Sequence, residues 1–210
     1  MFFSNNFISH KLVFLWLILI SSTVLSSELI QHSTHSERTK AAKEVTQQFT
    51  QTLGGHLKSE MKTNGPVKAI KVCKEIAPEI ANDLSIKTGW RVTRVSTKPR
   101  NPLLGSPDQW ERETLASFTS RANNGEHYVD MSKAEVVNEA GKSYFRFMKP
   151  LAVKPVCLNC HGSEDKIPET VKAELDVMYP FDQARNYKIG DLRGAISIKQ
   201  PMDLPLRKRF

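Results

Sequence analysis

The chain has little of what usually classifies a protein quickly. Beyond one stretch near the start of its 210 residues, no segment approaches the about 20 consecutive apolar residues of a membrane span, which excludes a multi-span membrane protein. No internal repeat and no low-complexity linker interrupts it, which excludes a solenoid or a string of small modules. Cysteine is scarce: three residues, an odd number, cannot all pair within the chain, so a disulfide scaffold is excluded. Acidic residues are outnumbered, 22 against 30 basic ones, for a net charge of +8.

The one hydrophobic stretch stands at the beginning. Lys11 precedes fourteen residues, Leu12 to Leu25, that are apolar except for Ser21, Ser22 and Thr23. A short positive segment, a compact apolar core and small residues following predict a secretory signal over residues 1–26, with cleavage after Ser26. An uncleaved anchor is the alternative, and either way the remainder lies outside the cytoplasm, in the periplasm. Residues 1–26 carry Lys11 as their only charge, so cleavage leaves 184 residues and lowers the net charge from +8 to +7. Export removes nucleic acid as the reason for a basic surplus. Anionic membrane surface, an acidic partner protein or the carboxylates of a bound cofactor remain.

Two of the three cysteines fall in Cys157-Leu158-Asn159-Cys160-His161, the C-x-x-C-H attachment sequence for c-type haem. The spacing lets two thiols reach two vinyl groups on one edge of the porphyrin, and holds the next residue against one face of the iron. Cys157 and Cys160 are therefore expected to form thioethers and His161 to supply the proximal nitrogen. Gly162 leaves the backbone room to turn there. A thioredoxin-like dithiol would need a βαβ pattern that is not visible, a zinc site would need a fourth ligand such as Cys73, and a plain disulfide would leave His161 unexplained. One motif predicts one haem.

The third cysteine lies on a helical pattern. In residues 66–86 the apolar positions Ile70, Cys73, Ala77, Ile80 and Leu84 follow steps of three and four, which predicts an amphipathic helix with an inward Cys73 and a kink at Pro78. Such a cysteine is either a small core residue or the sixth ligand of the iron. Met61, Met131, Met148, Met178, Met202, His56 and His127 are the rivals for that position.

The rest of the chain predicts helices first and an antiparallel sheet later, an α+β domain over residues 36–201 between a flexible lead, 27–35, and a basic tail, 202–210. A long helix over 36–62 carries Ala42, Val45, Phe49, Leu53 and Leu57, is weakened at Gly54-Gly55, and forms a helical hairpin with the Cys73 helix through Asn64-Gly65-Pro66. Strands are expected at Trp90 to Ser96, His127 to Met131, Ala134 to Glu139, Ser143 to Leu151 and Gly194 to Lys199, with a hairpin at Glu139-Ala140-Gly141-Lys142. A loop over 98–108, a helix capped by Asp108, and a short helix over 167–178 complete it. Arg91, Arg94, Lys98 and Arg100 cluster around one strand and its loop; Arg100 first, then Arg94, are the candidates for the haem carboxylates.

Several of these segments together resemble one bacterial family. AIKVCKEIAPEIA around Cys73, Arg94-Val95-Ser96 followed by Arg100-Asn101-Pro102, Asp108-Gln109-Trp110-Glu111, CLNCHG, and YPFDQARNYKIGDLRGAISI from Tyr179 to Ile198 are similar to exported c-haem domains long catalogued as a domain of unknown function. The resemblance runs from about residue 36 to residue 201. It implies a PAS-like fold with a five-stranded antiparallel sheet, and it implies that Cys73 is the second axial ligand. The chain departs at Arg185-Asn186-Tyr187, where the family usually has glycine before the tyrosine.

These observations predict a monohaem redox or small-ligand sensor module that a redox or signalling partner protein would read, since no output domain is visible in this sequence. A soluble electron carrier, whose basic surface steers docking to an acidic partner, is the alternative. An enzyme is not expected: a peroxidase would need an open coordination site and a distal acid-base group, for which His127 is the one candidate.

Overall fold

The computed structural model describes the backbone of residues 9–206 and the side chains of residues 35–206. Residues 1–8 and all side chains of the expected export signal lie outside the described residues, as does the end of the basic tail, 207–210. Among the described residues no helix is long and apolar enough to cross a membrane. Residues 1–40 and 41–210 form two units. The first contains the start of helix α1, Ser9–Thr63; the second contains the rest of α1 and every other element. The helix takes in residues 27–35, expected to be a flexible lead, where the sequence has neither proline nor glycine to stop it. It also runs through Gly54-Gly55.

Asn64 and Gly65, the latter at φ 77°, break the helix. The chain returns as α2, Gly65–Lys71, a π turn, Val72–Ile76, and α3, Ala77–Thr88. The π turn is where the kink expected at Pro78 is resolved. Proline has no N–H, and its ring would collide with the carbonyl four residues back, at Lys74. One extra residue per turn relieves this, with the Ala77 N–H bonded to the Val72 carbonyl five residues back. Gly89, at φ 74°, ends α3 in the left-handed conformation.

Strand β1, Arg91–Val95, follows, then the four-residue helix α4, Pro102–Gly105, and α5, Gln109–Asn123. Asp108 and Glu111 close a capping box at the start of α5. Strands β2, Lys133–Glu139, and β3, Lys142–Ala152, form a hairpin whose corner residues Ala140 and Gly141 have φ 48° and 78°, both left-handed as a two-residue turn requires. A 3-10 turn, Pro155–Cys157, leads into α6, Leu158–His161; α7, Glu169–Met178, and β4, Leu192–Pro201, close the fold.

The sheet is antiparallel with order β1-β4-β3-β2. It has four strands among the described residues, not the five expected. The segment His127 to Met131 is a turn: Asp130 N–H bonds to the His127 carbonyl and Met131 N–H to that of Tyr128. Tyr128 and Met131, three residues apart, both join the α5 core, a spacing that an alternating strand cannot provide.

Each sheet face has its own partner. Val92, Ile198, Phe147 and Ala134 stand in register across all four strands and pack with Ala42, Val45 and Phe49 of α1 and Leu84 of α3. The other face packs Val95, Met148 and Ala195 against Leu115 and Phe118 of α5. On that face Arg146 is buried with three carboxylates, Asp108 at 2.7 Å, Glu111 at 3.1 Å and Glu139 at 3.0 Å, and lies over the Trp110 ring. A third cluster joins α2 to α7 through Ile70, Val171 and Leu175.

Candidate functional site

The 3-10 turn and α6 wind residues 157–161 helically, so Cys157, Cys160 and His161, at i, i+3 and i+4, share one face. All three line a cavity of about 570 Å³, within the about 300–1,000 Å³ usual for cofactor sites. Cys73 on the π turn lines it too, as do Leu53 and Leu57 of α1. Both motif thiols and Cys73 are free. Burial pushes the Cys160 thiol up, and the nearby Cys73 adds to this against the charge of Arg100. Burial, then Cys73, pushes Tyr179 up to about 12.

The segment after α7 is laid against the motif and fixes its histidine. Tyr187 N–H bonds to the His161 carbonyl at 2.9 Å and Asn186 N–H to that of Gly162 at 2.8 Å. Asp182 anchors this segment by accepting from Ala184 N–H at 2.8 Å, and from Arg100 and Arg185 at 3.2 Å each. The Ala184 carbonyl then lies 2.7 Å from Nδ1 of His161. Burial, with the charges of Arg193 and Arg100, holds His161 well below its ordinary value, so the ring is neutral. Nδ1–H donates to Ala184, which leaves the lone pair on Nε2, the arrangement usual for a metal-ligating histidine. Arg100 Nη2, 3.2 Å from Nδ1, is then a close neighbour, not a donor to it.

The cavity wall has one sign of charge. Lys74, Arg91, Arg94, Arg100 and Arg193 line it, and among the described residues no aspartate or glutamate does.

A family model described as Tll0287-like matches residues 24–201. The chain belongs to that family. A crystal structure of the cyanobacterial heme-protein Tll0287 superposes with a TM-score of 0.61 at 23% identity, over 79% of this chain and 96% of that one. At this identity the likeness shows the fold. No match was found among curated protein sequences.

Within this Tll0287-like chain the residues singled out by sequence separate clearly. Cys157, Cys160, His161, Cys73, Arg94 and Arg100 converge on the one cavity. Met131 and Met148 are fully buried under α5, Met202 packs against the α1 core, and His56 and His127 are exposed and away from the cavity. Of the rivals to Cys73, Met61 and Met178 line it. Arg100 is turned to architecture, with its guanidinium on Asp182 and on the carbonyls of Cys160 and Ala184. No three His, Cys, Asp or Glu residues are grouped closely enough to hold a metal ion among the described residues. The residues do fit the covalent haem that the motif predicts: two free thiols, a neutral imidazole whose Nε2 lone pair meets only the long contact from Arg193, and cavity arginines, Arg94 and Arg193, that have no carboxylate partner among the described residues.

Two glycines make this geometry. A Cβ on Gly162 would meet the Leu158 carbonyl oxygen at 2.7 Å, and one on Gly194, at φ 149°, would meet that of Val95 at 2.3 Å. The departure at Asn186 is accommodated at φ 62°: the left-handed conformation that suits glycine is one that asparagine also tolerates. Arg193 escaped the sequence reading because pairing of β1 with β4 brings it beside Ser96, 97 residues away in sequence.

Proposed function

We propose that this protein holds one haem covalently through Cys157 and Cys160, with Nε2 of His161 and the thiolate of Cys73 as axial ligands, and serves outside the cytoplasm as a redox or small-ligand sensor. The observation that carries this is the convergence of all three cysteines and a tautomer-fixed histidine on one cation-lined cavity. Bound there, haem supplies one-electron exchange, and a thiolate ligand favours its ferric state.

The protein's part is to hold one ligand firmly and the other loosely. His161 is fixed by the Ala184 carbonyl, itself anchored through Asp182. Cys73 stands on a π turn next to a proline that donates no backbone hydrogen bond, where the helix is most easily rewound. A ligand so placed can be lost on reduction, and the shift of the α2–α3 segment would then be the signal a partner protein reads.

The test is optical and electron-spin spectroscopy of protein produced with c-haem maturation, ferric and ferrous, as wild type and Cys73→Ala. Low-spin thiolate features that vanish in the variant are expected. Unchanged spectra would return Cys73 to the cavity wall and favour an electron carrier ligated by Met61 or Met178. Absence of covalent haem in wild type would refute both.

A further inference from the structure

The arginines near the cavity fall into two groups. Arg100 is paired with Asp182, and Arg185 with Glu164, Asp176 and Asp182. Arg193, Arg94 and Arg91 line the cavity with no ion pair among the described residues. Arg193 is the best built of the three. Its Nη1 donates to Ser96 Oγ at 3.1 Å and, more weakly, to the Lys98 carbonyl at 3.4 Å, and its guanidinium lies 5.4 Å from the centre of the Tyr187 ring. Its Nε donates a long hydrogen bond, 3.5 Å, to Nε2 of His161, a contact that an iron ligand bond would replace. Ser96 in turn donates to the Arg193 carbonyl at 2.8 Å, and Gly194 lets the two strands close that tightly. These contacts fix one edge of the fork and occupy none of it with an anion.

We infer that Arg193, oriented by Ser96 and Tyr187, is a carboxylate-binding residue of the cavity, and that its partner is an acidic side group of the bound cofactor. A half-buried guanidinium without a counter-ion loses hydration that no anion replaces, and a planar fork matches a carboxylate bidentately. Arg193 lies beside the histidine that would hold the iron, so an acidic group it grips belongs to the same ligand. Arg94 also lines the cavity, and a porphyrin carries two such groups. The assignment rests on the haem reading above, deepens it, and gives Arg100 a structural role in place of the expected carboxylate contact.

The test uses the haem-loaded full chain as wild type, Arg193→Gln, Arg193→Lys and the exposed-site control Lys188→Gln. Removing a cation beside the iron favours the ferric state, so Arg193→Gln should shift the midpoint potential downward and lower the denaturation midpoint. Arg193→Lys, which keeps charge but loses the fork, should recover most of the potential and less of the stability, and Lys188→Gln should change neither. A potential in Arg193→Gln equal to that of the control would overturn the inference while the haem remains. If Arg193→Gln does not accumulate loaded, Arg193→Lys decides: wild-type loading, potential and denaturation midpoint together refute it. Wild type without covalent haem would instead refute the reading on which it rests.

Discussion

Arg146 and Arg193 occupy neighbouring strands of one sheet, the first fully buried and the second half-buried, and meet the cost of taking a cation out of water in opposite ways. Arg146, with 2% of its side chain exposed, has three carboxylates from α5, the loop before it and β2, and an indole face. Arg193 has a hydroxyl, a distant carbonyl, a histidine nitrogen and a tyrosine ring. Burying a charge is tolerable when its partners come with it, so the first arrangement is balanced in charge, with Nε the one buried nitrogen of Arg146 left without a hydrogen bond. The second lacks its anion, and it lines the cavity that also holds the three cysteines. An unfinished ion pair inside an otherwise finished fold marks where something else is meant to bind.

Three measurements would break or sharpen that contrast. The largest effect is expected from Arg146→Ala, which strands Glu111 in the interior; a loss of about 3–5 kcal/mol in urea unfolding is expected, and a loss below 1 kcal/mol would dissolve the distinction. Next is acid. Burial raises Asp108, but its hydrogen bonds from Arg146 and the Glu111 N–H and the charges of Arg146 and Lys199 outweigh this and leave it below its ordinary 3.8; Glu139 is likewise held below 4.5, chiefly by Lys199 against burial. Depressed carboxylates contribute stability above those ordinary values and lose it as pH falls through the folded ones. In the haem-free protein the urea midpoint should therefore begin to fall below about pH 6.5, where His161 protonates only in the unfolded chain, and fall again as the paired carboxylates protonate below about pH 4.5, this second fall being steeper in wild type than in Arg146→Ala. The smallest effect is expected from Arg94→Met in haem-free protein, within about 0.5 kcal/mol of wild type, because no anion loses a partner. A loss comparable to that of Arg146→Ala would show a carboxylate partner for Arg94.

Much of this was legible because it is local. The C-x-x-C-H spacing needs one turn of helix to bring its members to one face, and Asp108 with Glu111 announces the cap of α5. Periodicity over 36–62 named Ala42, Val45 and Phe49, all fully buried. The apolar steps from Ile70 to Leu84 placed Cys73 inward but read as one stripe what the π turn divides between two cores: Ile70 joins α7, while Leu84 joins the sheet. The strand expected at 127–131 failed because Tyr128 and Met131, three apart, reach one core from a turn and would point to opposite faces of a pleat. The contacts of Arg193 and Arg100 depend on partners far away in sequence, at Ser96, Asp182 and Ala184, and no local pattern contains them.

The π turn also carries a consequence for how this chain tolerates insertions and deletions. One residue is about 100° of helical rotation. Removing a single residue from 72–76 would restore a regular helix, and with α3 anchored in the sheet core the whole rotation would fall on α2. The length of this five-residue segment is therefore as much a part of the site as the cysteine within it: a chain could keep every side chain of the cavity and lose the site by being one residue too short.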